Sequence, residues 1–142
     1  MEDLTNKITV EVTVNEIIEK IWKLWTTPAD ISQWNNSSDD WHSTRVENDL
    51  KDGGHFLFRM ETKDGKVGFD HCGKYDKILV NQLIEYTVSD GRKSIISFKP
   101  VGNNTTIIET FEPEKETTIE LQRDFCHSIL KNFKKYAENK ND

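Results

Sequence analysis

From residue 43 to residue 112 the pattern of the chain is all strand, and tight-turn dipeptides cut that stretch into pieces. A period of two is what a strand with one buried face requires. Asp64-Gly65 and Asp90-Gly91 supply the positive dihedrals that two-residue hairpins demand, and Gly102-Asn103-Asn104 reads as a third, longer turn. Strands are therefore expected at roughly 43–48, 54–63, 66–79, 82–89, 92–100 and 104–112. Ile8, Val10, Val12 and Val14 add a seventh strand at the start. Strands joined by hairpins pair antiparallel, and such a sheet must cover one face.

The cover has to be helical. Asn15 stands where it would cap a helix with Ile18, Ile21, Trp22 and Trp25 on its apolar face. Thr27-Pro28 ends that helix and opens a short second one. There Thr27 is the expected cap, Pro28 suits the first turn and Asp30 faces the positive helix end. Past the strands, Thr117-x-x-Glu120 matches a capping box, and Phe125, Ile129, Phe133 and Tyr136 form one stripe behind it. Lys131, Lys134 and Lys135 suit the negative end of this helix and read as a solvated face. Only this last helix is long enough to cover the sheet, and a curved sheet around a straight helix leaves space between them. Residues 1–5 and 138–142 are expected to fray.

Composition narrows the function classes. A chain of 142 residues fits one domain, and no repeat, low-complexity run or linker divides it, so residues 1–142 are taken as a single unit. With 25 acidic against 19 basic residues the net charge is −6, and no basic stripe is interleaved with aromatics, so a nucleic-acid partner is not expected. No apolar run approaches the roughly 20 residues that span a bilayer. Met1-Glu-Asp-Leu-Thr5 lacks the basic-then-apolar pattern of a secretory signal. A cytoplasmic protein without membrane insertion is expected, either a monomer or a weak dimer. Cys72 and Cys126 are too few for a disulfide framework and read as small buried hydrophobes.

Catalytic and metal chemistry finds little support. The histidines stand apart at positions 42, 55, 71 and 127. His71 is the best acid or base among them, with Glu61 or Glu85 as orienting partners, yet no residue is assigned a catalytic role. His71-Cys72 and Cys126-His127 cannot chelate alone, because strand neighbours point to opposite faces and helix neighbours diverge. No metal and no cofactor are expected. Asp39-Asp40 is explained by loop chemistry.

Three segments combine turn signals with large rings: Trp25-Thr-Thr-Pro-Ala-Asp-Ile-Ser-Gln-Trp34, Asp52-Gly-Gly-His-Phe56 and Gly73-Lys-Tyr-Asp-Lys-Ile78. Together with the Trp-x-x-Trp run that opens the first, they resemble the SRPBCC superfamily, and within it the branch named for the activator of Hsp-90 ATPase homologues. The resemblance runs from about residue 8 to residue 138 and implies a helix-grip α+β fold, START-like and Bet v 1-like. In that fold a curved seven-stranded antiparallel sheet wraps a long C-terminal helix, with two short helices between the first two strands. It further implies a cavity for a lipid, a polyketide-like molecule or an aromatic molecule. The expected ligand-facing residues are Trp34 and Trp41 at the mouth, then Phe56, Phe58, Met60, Phe69, His71, Tyr75, Tyr86 and Phe98 on the inner face. Phe125 and Ile129 face them from the helix. Alternation puts Phe56, Phe58 and Met60 on one face, and likewise Phe69, His71 and Tyr75, although the same side chains would also serve as plain core.

Eukaryotic activators of the chaperone carry a separate N-terminal domain for which 142 residues leave no room. Binding of a small hydrophobic molecule is therefore placed ahead of a chaperone-associated role. A cyclase- or hydrolase-like enzyme comes third.

Overall fold

The computed structural model describes residues 7–36 and 38–140. Its elements run β1 (Ile8–Val14), α1 (Ile18–Thr26), α2 (Pro28–Trp34), β2 (Trp41–Asn48), β3 (His55–Thr62), β4 (Gly68–Leu79), β5 (Leu83–Val88), β6 (Lys93–Val101), β7 (Asn104–Phe111) and α3 (Ile119–Asn139). The seven strands form one antiparallel sheet in the order β1-β7-β6-β5-β4-β3-β2. The first two strands in sequence thus lie at opposite edges, and α1 with α2 carries the chain from one edge to the other. Helix-grip architecture of the expected kind results, with strand limits within two residues of those read from the alternation.

Local chemistry departs from expectation at several caps. α1 begins at Ile17 without a side-chain cap. Asn15 instead donates its backbone N–H to Glu138 Oε2 at 2.8 Å, pinning the β1–α1 corner to α3. Thr27 does flank α2, but its hydroxyl donates back to the Lys23 carbonyl at 2.6 Å rather than capping forward. The α3 cap lies one residue later than the box motif suggests: Thr118 Oγ1 accepts the Leu121 N–H at 3.2 Å. Val101 pairs directly with Asn104, so the last hairpin closes on Gly102-Asn103 and is as tight as the others. α3 continues to Asn139, so residues 138 and 139 are helical and not frayed. The basic residues consequently precede its last turn. Lys131 and Lys135 are exposed, as a solvated face requires, whereas Lys134 bonds Glu138 at 2.6 Å and the Thr13 carbonyl at 2.7 Å, which ties the helix to β1. The expected fraying of residues 1–5 and the ends of 138–142 at 141–142 lie outside the described residues.

The Gly-Gly motif is a clamp between neighbouring strands. Gly53 N–H donates to the Tyr75 carbonyl and Tyr75 N–H donates to the Gly54 carbonyl, both at 2.8 Å. Gly53 has a φ of 82°, and a Cβ on Gly54 would lie 2.0 Å from the Asp49 carbonyl oxygen, so neither position accepts a side chain. Asp52 completes the clamp by accepting the Ile78 N–H at 2.8 Å. The two family-like segments therefore bond to each other, and what they fix is the position of Tyr75.

α3 grips the sheet at one end only. Leu130, Phe133 and Ala137, in its C-terminal half, are fully buried and face β1 and the two short helices. Phe133 stacks edge-on against both Trp25 and Trp34 at 4.9 Å, and those two indoles meet at 4.6 Å. Trp22 and Trp25 continue the cluster onto Phe98 of β6 at 5.3 and 5.7 Å. Tyr136 adds a hydrogen bond of 2.6 Å to Asp30, latching α3 to α2. Among the described residues no helix is long and apolar enough to cross a membrane.

Phe133 supplies the only ring that α3 contributes to this cluster, so Phe133→Ala is expected to cost about 3–5 kcal/mol, read as a shifted midpoint in urea unfolding.

Candidate functional site

Beyond Ile129 the N-terminal half of α3 stands off the sheet, and a cleft of about 850 Å³ opens between them. Its wall is built by alternation. Phe56, Phe58 and Met60 come from β3, Phe69, His71 and Tyr75 from β4, Ile84 and Tyr86 from β5, Ser94 and Ile96 from β6, and Glu109 and Phe111 from β7. The β4 bulge falls between Tyr75 and Lys77, after the last of these residues, so it leaves their common face intact. Trp25 and Trp34 close one end, and Phe125, Cys126 and Ile129 form the roof. A second depression of about 980 Å³ lies on the convex side, among Leu57, Cys72, Lys74 and Thr87. It is shallow and bounded by outward side chains, so the concave cleft is the candidate site.

Phe56 is the hub of the wall, with ring centroids of Phe58, His71, Tyr75 and Tyr86 all within 5.4 Å of its own. Phe69 is 40 % exposed and joins Trp41 at 5.9 Å to Phe125 at 6.5 Å, forming a rim between the β2 edge and α3. Two sequence expectations need correction, those for Trp34 and Phe98. Trp34 is not at the mouth: it is 3 % exposed, and its indole N–H donates to the Leu24 carbonyl at 2.9 Å. Phe98 does not line the cleft, because Trp22 and Trp25 cover it. Trp41 reaches the rim through Phe69 without joining the wall.

The titratable groups on the wall carry the cleft's chemistry. The His71 imidazole is pushed down to about 4, by burial first and then by the Arg92 charge, so it is neutral at pH 7. Neither Glu61 nor Glu85 orients it. Glu61 sits on the outer face, where it accepts from Arg59 at 3.2 Å and approaches His42 at 3.7 Å. Glu85 alternates outward between the inward Ile84 and Tyr86. Tyr75 donates its hydroxyl to Asn48 Oδ1, and Asn48 in turn donates to the Thr26 carbonyl at 2.8 Å, so this hydroxyl has an internal partner. Cys126 is half-buried on the roof, and Cys72 is half-buried on the other face of the sheet. Both thiols are free.

Glu109 is the residue that sequence reasoning missed. It occupies an inward position, paired with Val10 on one side and Ile96 on the other, both buried. The Tyr86 hydroxyl donates to its Oε2 at 3.4 Å. Burial pushes its carboxyl up to about 7, against the opposing pull of hydrogen bonds from Cys126 and Tyr86. Burial likewise raises the Tyr86 phenol and the Cys126 thiol, each helped by the Glu109 charge. The signal was available: Ile107, Glu109 and Phe111 share a parity, and a carboxyl there breaks an apolar row. Asn35 is 6 % exposed on the wall beside Trp34, and among the described residues its Nδ2 has no partner.

The family profile described as Activator of Hsp90 ATPase homolog 1-like protein matches residues 17–138, nearly the whole helix-grip unit. The chain belongs to this family. Among solved structures, the AHSA1-like protein from Aeromonas hydrophila is 33 % identical, with 96 % of this chain and 98 % of that one covered at a TM-score of 0.86. A solution structure from Cytophaga hutchinsonii is 50 % identical, with 94 % and 93 % covered and a TM-score of 0.82. A crystal structure from Nitrosomonas europaea, 14 % identical with 99 % of both chains covered, has a TM-score of 0.84 and shares the fold. No curated protein matches the chain. What these structures have in common with this chain is the helix-grip fold.

His71 and Glu109 give opposite pH dependences of stability. The Glu109 pKa is raised in the fold, so burial of the carboxyl costs nothing below about pH 4.5 and up to about 3 kcal/mol above about pH 7. The His71 pKa is lowered, so its cost is absent above about pH 6.5 and grows to a similar size as pH falls to about 4. Glu109→Gln is expected to gain stability over the parent progressively between those first two limits. His71→Gln is expected to gain it in the opposite direction, on acidification. Urea midpoints of the three proteins measured across that range check both slopes; parallel curves would refute the assignment.

Proposed function

We propose that this chain binds a small apolar or aromatic molecule in the cleft between the sheet and the N-terminal half of α3. The observation that carries this reading is the wall itself: rings from β3, β4 and β5 converge on about 850 Å³ of space that α3 does not fill. Cores pack close to crystalline density, so a volume of this size bounded by Phe56, Phe58 and Tyr86 is costly unless it serves a purpose. The half-exposed rim of Phe69 and Phe125 supports the same reading, because it gives an apolar solute a path from solvent to the wall. The protein acts in the cytoplasm, alone or as a weak dimer, without nucleic acid and without inserting into a membrane.

The family's description supports a second reading, a module that contacts a chaperone and stimulates its ATPase. A third is an enzyme of the cyclase or hydrolase kind. Its acid or base would be Glu109 rather than His71, since of these two wall residues Glu109 is pushed up to about 7 and His71 down to about 4.

Native mass spectrometry of protein purified from its own host is expected to show an added mass that is lost on denaturation. Ile129→Trp puts an indole into the cleft from the roof. It is expected to abolish that added mass while leaving the unfolding midpoint within about 1 kcal/mol of the parent. A bare parent protein that nevertheless raises the chaperone's ATPase rate would replace the first reading by the second.

A further inference from the structure

The charged groups of the cleft are one-sided. Glu109, Glu112, Glu114 and Glu116 line it, against a single guanidinium, that of Arg92. Arg92 is already engaged, its Nε donating to both carboxylate oxygens of Asp90 at 3.0 and 2.8 Å. No lysine is on the wall. The aromatic rings add to the bias, because the negative faces of stacked rings attract cations. An anionic lipid or fatty acid would meet repulsion here, whereas a cation would meet rings and carboxylates.

Glu109 is where these features converge. The inward rows from β1 to β5 are apolar beside it: Val10, Ile96 and Ile84 are its neighbours across the sheet and all are buried. The groups that face it are the Tyr86 hydroxyl from β5 and the Cys126 thiol from α3, both weak acids kept neutral, while β1 presents Val10 and β6 presents Ile96 and, beside Tyr86, the buried Ser94 hydroxyl, none of which carries charge. His71 on β4 is one ring away, 5.9 Å from Tyr86, and is neutral at pH 7. Among the described residues no cation pairs with this carboxyl. Glu114, also on the wall, differs: its Oε2 accepts the Glu116 N–H at 2.9 Å, and hydrogen bonds from Thr117 and Glu116 hold its carboxyl below the usual range.

We infer that the cleft selects an apolar or aromatic body carrying a protonated amine, with the ammonium seated against the Glu109 carboxyl and the body against Phe56, Phe58 and Tyr86. This rests on the cleft being the binding site proposed above, and adds the class of ligand. The ammonium supplies the missing countercharge, so seating it favours the ionised form of Glu109 and releases the proton that the carboxyl otherwise keeps. Affinity for such an amine accordingly rises as the pH passes through the range in which Glu109 ionises.

The test uses three matched probes: phenylbutylamine, phenylbutanol and phenylbutanoate. Binding is followed by tryptophan fluorescence, since Trp25 and Trp34 are on the wall and phenyl groups do not interfere. At about pH 8 the amine is expected to bind about tenfold tighter than the alcohol, and the butanoate weakest. Between about pH 8 and about pH 6 the amine's advantage should shrink by about tenfold, because an alkylamine itself stays protonated throughout. Glu109→Gln is expected to bind amine and alcohol alike and to lose the pH dependence. Alcohol binding as tightly as amine at both pH values, or an amine preference that survives Glu109→Gln, overturns the inference and leaves the cleft reading standing. No saturable binding by any of the three overturns both.

Discussion

Everything that distinguishes this cleft follows from where α3 is held. A straight helix laid on a strongly curved sheet can be packed tightly at one end or evenly nowhere. Here the tight end is fixed by Phe133 between Trp25 and Trp34, by Tyr136 on Asp30 and by Lys134 on the β1 backbone. All of these lie in the second half of the helix. The first half has no equivalent anchor on the sheet, so its Phe125, Cys126 and Ile129 become a roof instead of a core. Volume lost from the packed core at one end appears as a lined space at the other.

The same division explains which parts of the molecule were legible in the sequence. Strand limits and hairpins were readable because alternation and Asp-Gly turns are local, and the antiparallel order followed from them. The long helix was readable from its stripe. Caps were less so, since Ser, Thr and Asn compete for several backbone partners: Thr27 bonds backward to Lys23, and Asn15 is taken by Glu138 from the far end of the chain. No local rule sees a partner 123 residues away. Most of the wall was legible by parity, which places Phe56, Phe58, Met60, Phe69, His71, Tyr75 and Tyr86 on the concave face. Phe98 shares that parity and is nonetheless core, because what covers it is α1, and helix placement is not a property of strand alternation. Glu109 escaped for the opposite reason. It was passed over as a charge, although its position in the row was as clear as that of Ile107.

The Gly-Gly and Gly-x-Tyr segments have a mechanical role in this chain. Gly53 and Gly54 exchange backbone bonds with Tyr75, and a Cβ on Gly73 would lie 2.2 Å from the Thr87 carbonyl oxygen, so β4 is locked on both sides around one tyrosine. Tyr75 then spends its hydroxyl on Asn48, which reaches the α1 backbone. These residues make the scaffold of the family and say nothing about a substrate. Chemical identity resides elsewhere, in wall positions such as 71, 86 and 109 that the motifs leave free.

An apolar site with one buried carboxyl behaves differently from an apolar site with none. At neutral pH a greasy cleft accepts any solute of suitable shape, with discrimination limited to about 1–3 kcal/mol per methylene-sized difference. A carboxyl near its midpoint, with no cation paired to it among the described residues, changes that ordering, because burying its ionised form is costly and either a proton or a seated cation relieves that cost. His71 adds nothing of the opposite sign, since it stays neutral over the same range. On the proposed reading the cleft thus discriminates by charge as well as by shape, through a residue that lies outside the Gly-Gly and Gly-x-Tyr segments.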